Sequence, residues 1–465
     1  IIALALTLVT ATFAYFMAQT GEGKSTDIKI NASTVDTLTF EAGAAISLNL
    51  NQENFASGKG NQSDTTFAKA MLTANNKTNT ATEHYYMYLD ISENTFTYTQ
   101  DENTPEILLT IKDANGNAIT SITGLTHKTV TDGKGASISG FDITTKKEAI
   151  TLFNNREITA NPTKTEQWNI TVTFVNYNAN QAGNAGKNFT AKLMIQKEKI
   201  LTLAEHVISQ YTGTQGDNAL YYHNSTLTNG AGDNSYRYAG ASDSVNNYIC
   251  LGSDVATCPD ANLFRIIGVF GDQTKVIRAK SVGNKQWHTS ESNTWSSSSL
   301  NAYLNGEYLT SLGTLADKIA TTTWKAGGGI WSNIVTSVPK TAYQNEVGSS
   351  ASSTTVDKKI GLMYVSDYYY SASPSAWTLV GYNESDATKD YRAAKTINWL
   401  YLGSNEWTIS RTSDITPYAF GMFSTGLVSN YGVTLSFGVR PSFNLLSSVT
   451  YASGSGTSSD PIRIN

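Results

Sequence analysis

Between Asp27 and about Lys197 the chain is a succession of strand-length runs cut by turn residues, and no other feature constrains its fold as much. DIKINAS and AISLNLN alternate apolar and polar residues. HYYMYLDI, EILLTIKD and WNITVTFVNY are alternating or apolar over strand lengths. Turn signals separate the runs: Asn115-Gly116 in KDANGNAIT, Asp132-Gly133 in TDGKG, and NAGKN near Gly186. With no convincing helix between them, the runs predict an antiparallel β-sandwich over residues 27–198. Asn188 to Lys197, NFTAKLMIQK, supplies its last strand.

At 465 residues the chain exceeds one ordinary core, so two or three domains are expected. Charged residues are only 15% of it, and polarity comes instead from Thr, Ser, Asn and Gly, with 25 Tyr as the commonest aromatic. Thr and Tyr favour strands and the small polar residues favour turns, a balance typical of mainly β, extracellular-type domains. The net charge of −5 is spread along the chain, and no basic cluster is present to neutralise phosphates. Nucleic acid is not an expected partner.

Residues 1–18, IIALALTLVTATFAYFMA, carry no charge and reach the minimum length for crossing a bilayer. The run predicts a signal peptide or membrane anchor over residues 1–19, and membrane association only through it. Just after it, Ala18-Gln-Thr-Gly-Glu-Gly-Lys24-Ser25 lies one residue from the phosphate-loop pattern, with Ala18 in place of the first Gly. A phosphate loop must open a helix, whereas this stretch runs into the alternating DIKINAS. Gly-Glu-Gly reads better as a flexible joint.

Beyond the sandwich, KILTLAEHVISQY spaces Leu201, Ala204, Val207 and Ile208 as an amphipathic helix, assigned as a linker over residues 199–212. A second domain over residues 213–465 then mixes strands and short helices. A strand is expected at Tyr236 to Ala239, a hairpin at Leu263 to Ser281 turning at Gly271-Asp272, and a Ser-capped helix over Trp295 to Leu309, ended by Gly306 or soon after. KIGLMYVS, EWTISR and TLSFGVRPSFNL read as short strands. The two cysteines, Cys250 and Cys258, have seven residues between them. They fit a disulfide closing a short loop in an oxidising compartment, the alternative being two free thiols in a reducing cytosol.

Two resemblances add to this reading. TATFAYF, Thr10 to Phe16, resembles the export region of camelysin/TasA-like surface proteins of Gram-positive bacteria, in which a short AYF element precedes a β-sandwich. The acidic residue usual after that aromatic is replaced by Met17-Ala18-Gln19, which leaves the processing peptidase open. Asn405-Glu406-Trp407-Thr408 and Phe437-Gly438-Val439-Arg440-Pro441, with the Trp-rich helices before them, resemble the scaffold of C-type-lectin-like domains. Similar elements occur in the formylglycine-generating-enzyme superfamily, and the block from about Tyr236 onward also resembles an uncharacterised domain of Firmicutes surface proteins. The fold implied is mainly β: an N-terminal antiparallel β-sandwich plus a C-terminal α+β C-type-lectin-like domain. For Trp407 and Arg440 themselves, a core aromatic and a paired guanidinium are the simpler roles.

No catalytic constellation is recognisable. The five histidines are isolated, and Ala204-Glu205-His206-Val207 lacks the second His of a zinc-protease helix. Formylglycine-generating chemistry needs cysteines deep in the C-terminal part of its domain, while both cysteines here lie near its start. No G-x-S-x-G elbow occurs. Asp113-Ala-Asn115-Gly-Asn117 resembles the start of a calcium loop, but its Gly is one place early and a hairpin turn explains it. No metal or cofactor is expected.

The remaining functional signal is SDYYYSASPSAWTLVGYNESDATKDY, Ser366 to Tyr391. Its Tyr368, Tyr369, Tyr370, Trp377, Tyr382, Asn383 and Tyr391 suit a ligand face, since aromatic rings stack on sugars or anchor proteins while Asn orients hydroxyls. Alternatively these rings pack beneath a long loop. Together the features lead to the expectation of an exported, extracellular or cell-surface protein that mediates adhesion by binding a surface glycan or protein. A structural subunit of an extracellular fibre or biofilm matrix, self-associating through sandwich edge strands, is the alternative. An exported hydrolase ranks third.

Overall fold

The structure, a computed structural model, describes residues 36–55, 58–75 and 79–465. The apolar segment 1–19, the phosphate-loop-like stretch 18–25 and the expected strand at 27–33 lie outside the described residues. The chain divides into two compact units, Ile1–Lys199 and Ile200–Asn465. Both are mainly β.

Among the described residues, ten strands build the first unit: β1 (Thr37–Ala42), β2 (Ile46–Asn49), β3 (Gln62–Thr73), β4 (Ala81–Asn94), β5 (Ile107–Asp113), β6 (His127–Thr131), β7 (Ser137–Asp142), β8 (Ile150–Ala160), β9 (Thr163–Phe174) and β10 (Asn188–Gln196). They form a six-stranded sheet, β1-β3-β9-β5-β7-β6, and a four-stranded sheet, β2-β10-β4-β8. Every pairing is antiparallel. Side chains alternate across a strand, so each sheet turns one apolar face inward. On β10, Phe189, Ala191, Leu193 and Ile195 are buried, and on β9 Trp168, Ile170, Val172 and Phe174. These residues share one core, which makes the pair of sheets sandwich-like. The Asp113 stretch is a hairpin-type turn. The Asp113 N–H donates to the Asn117 carbonyl (2.9 Å), and its carboxylate accepts from the Asn115 and Asn117 N–H groups (2.9 and 2.8 Å) and the Asn117 amide (2.9 Å).

In the second unit the strands are β11 (Leu220–Tyr222), β12 (Tyr236–Tyr238), β13 (Tyr248–Cys250), β14 (Leu263–Phe270), β15 (Gln273–Arg278), β16 (Asn284–Gln286), β17 (Thr322–Lys325), β18 (Thr355–Lys358), β19 (Ile360–Gly361), β20 (Glu406–Arg411), β21 (Tyr418–Met422), β22 (Val428–Gly432), β23 (Ser436–Gly438), β24 (Ser442–Asn444), β25 (Tyr451–Ser453) and β26 (Arg463–Ile464). A seven-stranded sheet runs β11-β12-β14-β15-β24-β19, with β13 also on β14, and a five-stranded sheet runs β16-β23-β20-β21-β22. The β14–β15 hairpin turns at Gly271, whose φ of +64° suits glycine, and pairs Phe270 with Gln273.

Three local readings change. The helix expected as a linker, Leu203–Ser209, is capped by a reciprocal Thr202–Glu205 box and buries Leu203, Ala204 and Val207 in the second unit's core. The Trp295–Leu309 region starts with a 3₁₀ turn. Its helix begins at Ser299 behind the Ser298 cap and passes through a π turn over Leu304–Tyr308 before ending at Ser311. Gly306 therefore lies inside it. KIGLMYVS keeps strand geometry only at Ile360–Gly361, and its Val365 and Ser366 open the helix Val365–Tyr370.

Candidate functional site

Ser366 to Tyr391 folds inward. All six residues of the helix Val365–Tyr370 are buried, Ser366 and Asp367 among them. Tyr368, Tyr369, Tyr370, Trp377 and Tyr391 are each at most 1% exposed, which removes them from any ligand face. Their polar atoms are spent on carbonyls: Tyr368 donates to Gly426 (2.9 Å), Tyr369 to Ile334 (2.8 Å), Tyr370 to Asn229 (3.2 Å), Trp377 to Ala372 (2.9 Å) and Tyr391 to Tyr369 (2.8 Å). Burial pushes the Tyr369 and Tyr391 hydroxyls well above the usual phenol range. Tyr382 is half-buried against the Arg392 guanidinium, and Asn383 caps a turn by accepting from Ser385 and Asp386. The alternative stated for this stretch, aromatics packed beneath a loop, describes what is seen.

Trp407 and Arg440 are core residues as well. Arg440 donates two bonds to the Glu406 carboxylate (3.0 and 2.7 Å) and one to the Leu400 carbonyl (2.6 Å). Cys250 and Cys258 form a disulfide.

A different set of side chains converges on a cavity of about 240 Å³ in the second unit. Its floor is ionic. Lys275 of β15 donates to Asp367 Oδ2 (2.6 Å), which also accepts the Tyr364 N–H (2.8 Å). Arg237 of β12 donates to Asp233 Oδ2 (2.5 Å) and the Ser235 hydroxyl (2.8 Å), and its Nη1 lies 3.7 Å from Asp367 Oδ1. Arg237, Lys275 and Asp367 are each no more than 5% exposed. Asp367 comes from the first turn of the buried helix, so the aromatic run and the ionic floor are one construction.

The walls are aromatic. Lys275 Nζ sits 4.5 Å from the Tyr364 ring centre, 5.4 Å from Trp324 and 5.6 Å from Phe270, while Arg237 lies 4.6 Å over Phe270 and 5.4 Å over Tyr343. Burial would raise the Asp233 carboxyl, but the Arg237 charge and hydrogen bonds from Ser235 and Arg237 outweigh it and hold it well below the usual carboxylate range. Burial draws the Lys275 ammonium down, with Asp367 opposing. Behind the floor, Glu346 accepts from the Val365 and Ser366 N–H groups (2.8 Å each) and from the Ser410 hydroxyl.

A larger hollow of about 660 Å³ borders the disulfide loop, and its cations donate to backbone carbonyls. Lys318 donates to Asn465 (2.6 Å), and Arg463 to Ser253, Val255 and Ala256. Among the described residues no cluster of His, Cys, Asp and Glu is placed to hold a metal ion. The smaller cavity is the one in which buried charged groups and aromatic walls meet. Its residues come from separate elements and share no local motif. The sequence signal that could have located it is the charged residue inside an apolar helix, Asp367 in VSDYYY.

Fold and cavity together define a mainly β, disulfide-bonded protein of two units with a buried ion-pair pocket in the second. No protein-family model matches the chain, and no curated protein matches it.

Proposed function

We propose that this is an exported cell-surface protein, a TasA-like sandwich followed by a C-type-lectin-like module, whose second unit mediates adhesion by binding a glycan. The observation carrying the reading is the second unit's cavity, with an ionic floor of Arg237, Lys275 and Asp367 under walls of Phe270, Trp324, Tyr343 and Tyr364. Apolar walls around a few convergent polar groups are the usual make-up of a small-ligand site. The Cys250–Cys258 disulfide is compatible with an extracellular setting.

A glycan array probed with the full chain tests this reading. Signal lost in Lys275→Met, with the variant's thermal transition retained, supports it; a clean negative from folded protein rejects it. The fibre reading rests on a separate feature, the sheet edges formed by β1 and β6 and by β2 and β8 among the described residues. It requires concentration-dependent filaments of the full chain in electron micrographs.

A further inference from the structure

From the balance of donors and acceptors around the ionic cavity, we infer that its ligand is a hydroxy-carboxylate, specifically a uronic acid residue of an acidic glycan. This rests on the glycan-binding reading and narrows it to one class of sugar.

The carboxylates of the floor have little left to give. Asp233 Oδ1 accepts from the Ser235 N–H (3.1 Å) and hydroxyl (2.6 Å), and its Oδ2 accepts from Arg237. Asp367 Oδ2 takes Lys275 and the Tyr364 N–H, and its Oδ1 faces Arg237. The cations are in the opposite position. An ammonium carries three donors, and that of Lys275 uses one on Asp367, with no other hydrogen-bond partner among the described residues. Arg237 Nη1 is within ion-pair reach of Asp367 but makes no hydrogen bond. Lys325 also lines the cavity, so three cations face two carboxylates there. Glu346 restores the count only from behind the floor, with its oxygens already occupied. The surplus is of charged donors, and a planar carboxylate is the ligand group that consumes them.

One acceptor is unmatched beside the cations, on the strand paired with that of Lys275. Asn444 of β24 lines the cavity, donates its amide to the Thr322 hydroxyl (3.1 Å), and leaves its buried Oδ1 without a partner. A buried carbonyl oxygen calls for a donor. A ligand that carries a hydroxyl close to its carboxylate, as a uronic acid does, satisfies both. At about 240 Å³ the cavity falls below the usual range for drug-sized ligands, which suits a single sugar residue.

Isothermal titration of the full chain with sodium D-glucuronate, D-glucose and acetate tests the inference, alongside the glycan array. Saturable glucuronate binding is expected, with glucose weaker by about tenfold or more for want of the charge-assisted hydrogen bonds, and acetate weaker than glucuronate for want of the hydroxyls. Lys275→Met is expected to weaken glucuronate to the level of glucose. Asn444→Leu, which leaves the ion pairs intact, is expected to weaken glucuronate while leaving acetate unchanged, and it keeps the test alive should Lys275→Met fail to fold. Equal affinity for glucose and glucuronate would overturn the carboxylate requirement yet leave glycan binding standing. Equal affinity for acetate and glucuronate would overturn the sugar. Glycan-array hits unaffected by either folded variant would move binding elsewhere and overturn the inference alone, whereas no hit of any kind removes both it and the adhesion reading.

Discussion

At the residue scale, the decisive chemistry is how buried polar atoms are spent. Tyr391 donates to the Tyr369 carbonyl in the core, so Tyr391→Phe, which leaves that carbonyl short of a donor, should cost about 1 kcal/mol in urea unfolding. Trp377 fills space as well as donating, and Trp377→Ala should cost about 3–5 kcal/mol. Neither change should act selectively on ligand affinity, because neither side chain lines the cavity. Asp233 gives a pH-dependent case. Its carboxyl titrates lower in the folded than in the unfolded chain, so its contribution is present above the unfolded carboxylate range, near pH 4, and is lost as pH falls below it. Asp233→Asn should therefore destabilise the protein by about 3 kcal/mol at pH 7, and the gap from the parent should narrow steadily as pH falls below about 4. A gap that stays constant across that range would contradict the ion-pair assignment.

Elements differ in how legibly the sequence announces them. Strands of the first unit are half-buried, so apolar and polar residues must alternate along them, and β4, β5, β9 and β10 all lie where that alternation placed strands. The Gly271 hairpin is legible for a similar local reason, a turn residue between two apolar runs. Helix Val365–Tyr370 is not, because a fully buried helix shows no period, and six residues beginning VSDYYY read equally as strand, loop or helix. The cavity is still less legible. Arg237, Lys275, Tyr364, Asp367 and Asn444 come from different elements, and only the tertiary fold brings them together. The disulfide closes a nine-residue stretch, Cys250 to Cys258, and loop-closure entropy puts its contribution at about 2–3 kcal/mol. Reduction should lower the thermal midpoint of the second unit, an effect readable by calorimetry with and without reductant.

At the scale of the whole molecule, each unit has its own apolar core. Exposed Lys197 and Lys199 lie between the end of β10 and the Thr202 cap. Limited trypsin digestion should cut there first and leave two protease-resistant fragments, each giving a cooperative thermal transition. Rapid loss of either fragment would show that its core does not suffice alone.

In the second unit, Thr450 bridges to Thr202, and it also accepts the Asn465 N–H (3.2 Å) and the Asn465 amide at its hydroxyl (3.1 Å). Residues 202 and 465 therefore meet at one threonine, and a short peptide could join them without disturbing any strand. A circularly permuted version, opened instead at the exposed loop 349–353, would keep every pairing of both sheets. The unit could then be spliced into a host protein's surface loop as a self-contained cassette.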